Sequence, residues 1–262
     1  MTRIGKKFQE LKSAGKKAFI VFITCGYPNI AVTEKLILAL DRIGVDIIEL
    51  GVPFSDPLAD GPTIQEASAA ALKNKVNLYS VLRLAKRIRK KTDLPLCIMT
   101  YYNPVFCFVE DRFMRQAKAS GVDGIIVPDL PPEEAGGLIK YSREYGLDLI
   151  FFLSPTSKQS RVRYISRVSR GFIYYVSLTG VTGTRRELPA DLVKNLKIIK
   201  RLTRLPVCVG FGISSSRQVR QVYRVADGAI VGSAVIKKIK ENLNRPDLIG
   251  RVAGFVKTLK NV

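Results

Sequence analysis

The segment Glu49-Leu-Gly-Val-Pro-Phe-Ser-Asp-Pro-Leu-Ala-Asp60-Gly-Pro62 decides the reading of this chain. It follows the apolar pair Ile47-Ile48 and holds three prolines, two glycines and two aspartates before helical pattern resumes at Thr63. A buried strand therefore runs into an ordered loop. In a parallel α/β protein, a carboxylate at the carboxyl end of a strand, facing a second one on the adjoining loop, stands where active sites are built. Glu49 and Asp60 are the first candidates for acid/base work. The competing structural reading has Glu49 capping a helix or pairing with a buried Arg, and Asp56 and Asp60 closing Asx-turns before prolines. A loop this long and rigid exceeds what chain reversal requires.

Outward from this segment one pattern repeats. Continuous apolar runs, the mark of strands buried on both faces, occupy residues 18–24, 46–50, 95–100, 123–127, 147–153, 172–176, 206–209 and 226–231. Helical patterns fill about 30–43, 63–73, 78–91, 109–119, 132–145, 158–169, 190–203, 214–224, 233–242 and 246–259. Eight strand–helix units within 262 residues predict an α/β fold, a closed (β/α)8 barrel of the TIM type, as a single domain over 1–262. Ile4, Phe8 and Leu11 share one side of a helix over residues 2–14, suited to capping the open end of the barrel. Segments after strands are rich in Gly, Pro and polar residues, and those before strands are brief, so function is expected at the carboxyl-terminal face.

Composition narrows the chemistry. With no histidine, Ser-His and Cys-His nucleophile pairs are excluded, and proton transfer falls to Glu, Asp, Tyr, Lys or Cys. Cys25, Cys97, Cys107 and Cys208 have no paired spacing, which with no histidine argues against a zinc site, and the strand-like contexts of Cys97 and Cys208 point to reduced core thiols. No signal-peptide succession and no bilayer-length apolar run is present, so a soluble, cytoplasmic chain is expected. The net charge of +21 raises anionic partners. Its basic residues recur on nearly every helix, Arg161, Arg163, Arg167, Lys200 and Arg201 among them, which describes a solvated outer ring rather than a dedicated nucleic-acid stripe.

Three glycine loops fall at consecutive strand ends: Gly180-Val-Thr-Gly183, Gly210-Phe-Gly-Ile-Ser214, and Gly232-Ser233, which opens a helix. Backbone N–H groups approach an anion closely at such positions, so together they predict a phosphate grip.

These residues also carry a resemblance. The segment from Glu49 to Gln65, with Met99-Thr-Tyr-Tyr-Asn-Pro104, Val127-Pro-Asp-Leu-Pro131 and the loops at Gly180 and Gly210, resembles the tryptophan synthase alpha chain family in family order over essentially the whole chain. The resemblance implies a lyase that cleaves indole-3-glycerol phosphate to indole and glyceraldehyde 3-phosphate by a retro-aldol reaction, without a cofactor in this chain. It implies Glu49 as the proton shuttle and Asp60 as the stabiliser of positive charge at the indole N–H. It further implies Gly183, Gly212, Gly232 and Ser233 for phosphate, and Phe22, Thr100, Tyr102, Val127, Leu153 and Phe211 for the indole slot. Tyr174 is expected near the reacting hydroxyl, and a lid over 177–191 is expected to bring Thr182 to Asp60. The implied partner is a beta chain carrying pyridoxal phosphate, in an α2β2 heterotetramer docked through residues 53–60, Asn103 and 129–132. Two other readings compete: a catalytically weak activator of the beta chain, which loss of Glu49 or Asp60 would signal, and a basic phosphate-binding barrel with another substrate or a nucleic-acid role.

Overall fold

The computed structural model describes residues 1–176, 190–210 and 212–261. The first strand, β1 (Ala18–Thr24), lies between β2 (Ile47–Gly51) and β9 (Gly228–Val231), and all pairings are parallel. Outward from β2 follow β3 (Leu96–Met99), β4 (Gly124–Ile126) and β5 (Asp148–Ile150); outward from β9 follow β8 (Val207–Gly210), β7 (Ile173–Val176) and β6 (Phe152–Leu153). The two ends of this row, β5 and β6, are consecutive in the chain and separated only by Phe151. They are two halves of one barrel strand, the first paired to β4 and the second to β7, so nine segments form a nearly closed barrel of eight strands. The run expected over 147–153 is thus interrupted at its centre, where the sheet changes partner.

The outer layer is α2 (Ile30–Arg42), α3 (Pro62–Lys73), α4 (Leu78–Arg89), α6 (Glu110–Ala119), α7 (Gly136–Tyr145), α8 (Gln159–Val168), α9 (Ala190–Leu202), α10 (Ser216–Tyr223), α11 (Ser233–Lys240) and α12 (Leu248–Lys260). An unexpected helix, α5 (Tyr102–Phe108), occupies what the sequence reads as a loop. Pro104 fits its first turn because the N–H groups there have no intrahelical partner.

The amino-terminal end of the barrel is built for stability. The plug helix α1 (Arg3–Ser13) is capped by Thr2, whose hydroxyl accepts from Gly5 N–H at 3.1 Å. It drives the buried Ile4 and Phe8 against Ile20, Ile47, Cys97, Ile126 and Phe172 inside the barrel. Three carboxylates at this end accept strand N–H groups of neighbouring strands: Asp46 from Phe19, Asp123 from Leu96 and Asp227 from Val207, at 2.8, 3.0 and 3.1 Å. Such anchors hold strand register where no chemistry is needed, leaving the opposite rim for the site. No helix among the described residues is long and apolar enough to cross a membrane.

Candidate active site

Glu49 sits in β2 with Phe22 of β1 and Cys97 of β3 as its register neighbours. Strand alternation points it into the barrel, two residues or roughly 7 Å below the rim. It is fully buried, and neither carboxyl oxygen has a hydrogen-bond partner among the described residues. The groups that sense its charge most, Cys97, Cys208 and Tyr174, are themselves buried and hold their protons above the ordinary values. With no cation among the described residues to offset desolvation, burial pushes the Glu49 carboxyl up to about 8, so it is protonated at neutral pH.

That shift has a consequence for stability. The carboxyl keeps its proton in the fold and loses it in the unfolded chain from its ordinary value of 4.5 upward. Between 4.5 and about 8 the unfolded state binds fewer protons, so stability falls as pH rises, by roughly 1.4 kcal/mol per unit, and levels off above 8. Glu49→Gln carries no such term. The variant is expected to gain about 3 kcal/mol on the parent between pH 4.5 and 7, read as a widening gap between the two denaturation curves; a pH-independent gap would contradict the burial of an unpartnered carboxyl.

Asp60 reaches the same region from the loop. That loop is fixed at several points: Val52 N–H donates to Met99 O at 2.8 Å, and the Ser68 hydroxyl both accepts from Phe54 N–H and donates to Phe54 O. The Gln65 amide donates to Asp60 O at 2.9 Å. The Asp60 carboxylate accepts from the Tyr101 hydroxyl at 3.0 Å, and that hydroxyl accepts from Ala59 N–H at 3.0 Å. Burial raises the Asp60 carboxyl, and the Tyr101 hydrogen bond, for which Glu49 has no counterpart among the described residues, opposes the rise. Two carboxyls with separated tendencies to ionise are what an acid and a charge stabiliser require. Asp56, by contrast, is taken up by the Ser55 hydroxyl at 2.7 Å on the exposed loop.

Phe22, Thr24, Gly51, Asp60, Thr100 and Tyr101 line the cleft at this rim. A Cβ at Gly51 would stand 2.5 Å from the tip of the Phe22 ring, so a larger residue there would push that ring from its place in the cleft wall. Across the barrel, Tyr174 pairs in register with Phe152 and Cys208, packs on Phe152 at 4.7 Å between ring centroids, and leans over Gly210, where a Cβ would lie 2.5 Å from its hydroxyl.

Three expected members of the indole slot lie away from the residues that line this cleft. Tyr102 opens α5 outside the cleft, its hydroxyl donating to Glu110 at 3.0 Å and its N–H held by Asp129. Tyr101, which sequence reasoning passed over, is the tyrosine in the cleft. Leu153 packs in the outer layer between sheet and helices while Phe152 faces inward, a one-residue difference that exchanges faces. Val127 likewise belongs to the outer layer, and Ile126 to the interior.

Of the phosphate loops, Gly232 and Ser233 lie where β9 passes into α11, and Gly212 precedes the capping box of Ser215 and Gln218 that starts α10. Gln218 also accepts from Ser214 N–H at 2.8 Å, fixing the loop. Thr182, Gly183 and Phe211, with nearly all of the expected lid, lie outside the described residues. No cluster of three or more potential metal ligands occurs among the described residues.

Comparison with known proteins agrees with this geometry. The family described as tryptophan synthase alpha chain matches residues 8–261. The tryptophan synthase alpha chain of Citrifermentans bemidjiense is 48% identical over 260 residues, covering 99% of this chain and 97% of the relative. That of Thermoanaerobacter pseudethanolicus is 43% identical over the full length of both. The crystal structure of tryptophan synthase subunit alpha from Legionella pneumophila superposes with a TM-score of 0.93 at 36% identity, covering 99% and 97% of the two chains. A chain in the Mycobacterium tuberculosis tryptophan synthase structure, in an aminoacrylate-bound form, gives 0.88 at 33% identity over 99% and 98%. With a buried neutral carboxyl, a second carboxylate on the rim loop and this likeness over its whole length, the chain belongs to the tryptophan synthase alpha chain family, the enzyme subunit that cleaves indole-3-glycerol phosphate in tryptophan biosynthesis beside a beta subunit.

Proposed function

We propose that Glu49 and Asp60 divide the retro-aldol cleavage between them, and that residues 1–262 form one catalytic barrel domain acting in the cytoplasm. Glu49, protonated at neutral pH, gives its proton to indole C3. The ring becomes an iminium, and the Asp60 carboxylate stabilises the charge at its N–H. The Glu49 carboxylate then takes the proton of the glycerol hydroxyl as the C–C bond breaks. Its electron pair returns to the ring, indole and glyceraldehyde 3-phosphate form, and Glu49 ends protonated for the next cycle. The observation that carries this reading is the complete burial of an unpartnered Glu49 across the barrel from Tyr174.

Tyr174, neutral and buried, would orient the reacting hydroxyl. Gly183, Gly212, Gly232 and Ser233 would hold the phosphate through backbone N–H groups. Proton transfer and charge stabilisation use side chains of this chain alone, and we assign it no cofactor; pyridoxal phosphate belongs to the beta subunit. The beta subunit would dock on the rim formed by residues 53–60, Asn103 and 129–132, where Leu58 is 92% exposed.

The Tyr101 hydroxyl positions Asp60 without touching the reacting atoms, and this supplies the test. Tyr101→Phe keeps the ring stacked on Phe54 at 5.1 Å but frees Asp60 and Ala59 N–H. Indole release measured with the beta chain present is expected to fall roughly ten- to hundredfold in kcat/KM. Unchanged release would contradict the assignment of Asp60.

A further inference from the structure

A broad surface groove lies far from this site. It lies between α8 and the turn from α9 into β8, at the amino-terminal end of the strands, with a volume of about 570 Å3. Arg163, Ser166 and Arg167 share one face of α8 at helical spacing, and Leu202, Arg204 and Leu205 close the other side. All three arginines are exposed, and among the described residues no Asp or Glu lines the groove and none of the three guanidiniums has an ion-pair partner. Elsewhere on the same outer ring, arginines and lysines find carboxylates: Arg87 and Lys91 with Glu34, Lys200 with Asp227, Lys240 with Glu66.

One alternative role accounts for part of the cluster. Arg167 is in the last turn of α8, where a cation offsets the helix dipole. Arg163 lies a turn earlier and Arg204 beyond the end of α9, so neither is explained in this way. Three planar donors around a concave space match phosphoryl oxygens, which arginine binds bidentately. The chain's charge of +21 adds long-range attraction for an anion. A bare phosphate leaves most of the groove empty, whereas its volume and its Leu202 and Leu205 walls suit a small organic ligand.

We propose that this groove is a second anion site, distinct from the catalytic phosphate loops, that binds an organic polyphosphate of the nucleotide class. The phosphates sit among Arg163, Arg167 and Arg204, and the apolar end of the ligand lies on Leu202 and Leu205.

The test uses a fluorescent ATP analogue and the full chain at about 150 mM salt, where diffuse surface attraction is screened, with glyceraldehyde 3-phosphate saturating the catalytic site. The expected result is saturable one-to-one binding, displaced by unlabelled ATP but not by adenosine. Arg163→Gln with Arg167→Gln is expected to weaken it at least about tenfold, and Arg204→Gln several-fold. Arg83→Gln with Arg217→Gln, which removes the same charge from other helices, is expected to change it less than twofold. Thermal melting and indole release of all variants serve as fold controls. Equal weakening by both double variants, absence of saturation, binding seen only when glyceraldehyde 3-phosphate is left out, or binding of a short oligonucleotide but not ATP would each overturn the proposal.

Discussion

Glu49→Gln is expected to reduce indole release by roughly 10²- to 10⁴-fold, with the beta chain present and substrate saturating. The substitution preserves shape and, because Glu49 is already neutral at pH 7, adds no charge and removes none. What it removes is the transferable proton and the base left behind by its transfer, so both halves of the cycle stop. Single-turnover measurement of indole separates this from a binding defect. Residual activity above a tenth of the parent would assign the proton transfer to another group, and Cys97, Tyr174 and Cys208 are the other titratable side chains of the interior.

Asp60→Asn should give the second largest loss, roughly 10²- to 10³-fold, the range for removing one preorganised electrostatic stabiliser of a transition state. The side-chain amide oxygen introduced by this substitution still accepts from the Tyr101 hydroxyl, so the loop stays in place and only the charge opposite the indole N–H is gone. Its signature therefore differs from that of Glu49→Gln: kcat falls while the ionisation that follows Glu49 stays in the pH profile. Loss of that ionisation together with activity would mean that the two carboxyls titrate as a coupled pair.

The barrel was legible because its strands are buried on both faces. Continuous runs such as residues 18–24 leave little room for another class, and β1 covers the expected span. The same continuity hides which residue faces inward. In an alternating strand Leu153 and Phe152 could be told apart; in an all-apolar run they cannot, and the break at Phe151 further obscures the count. Tyr101 and Tyr102 differ for a related reason. β3 ends at Met99 and α5 begins at Tyr102, so neither the strand period nor the helix period governs the residues between them. Glu49 and Asp60 were conspicuous as candidates because a carboxylate in an apolar run, and another in a proline-rich loop, stand out from their surroundings. The unpartnered state of Glu49, which sets its chemistry, depends on neighbours from three other strands, Cys97, Tyr174 and Cys208, and only the fold brings these together. The arginine groove was illegible in the same sense: Arg163 and Arg167 read as two members of an outer ring, and Arg204 joins them only through the packing of α8 and α9.

The proposed cycle requires a carboxyl inside the barrel that is neutral when the substrate arrives. The direct measurement is a carbon-13 titration of glutamate side-chain carboxyls in the full chain, with Glu49→Gln used to identify the resonance that disappears. A Glu49 resonance that titrates near 8 is the predicted result. One that titrates near the ordinary value of 4.5 would contradict the account, since Glu49 would then meet the substrate as a carboxylate with no proton to give.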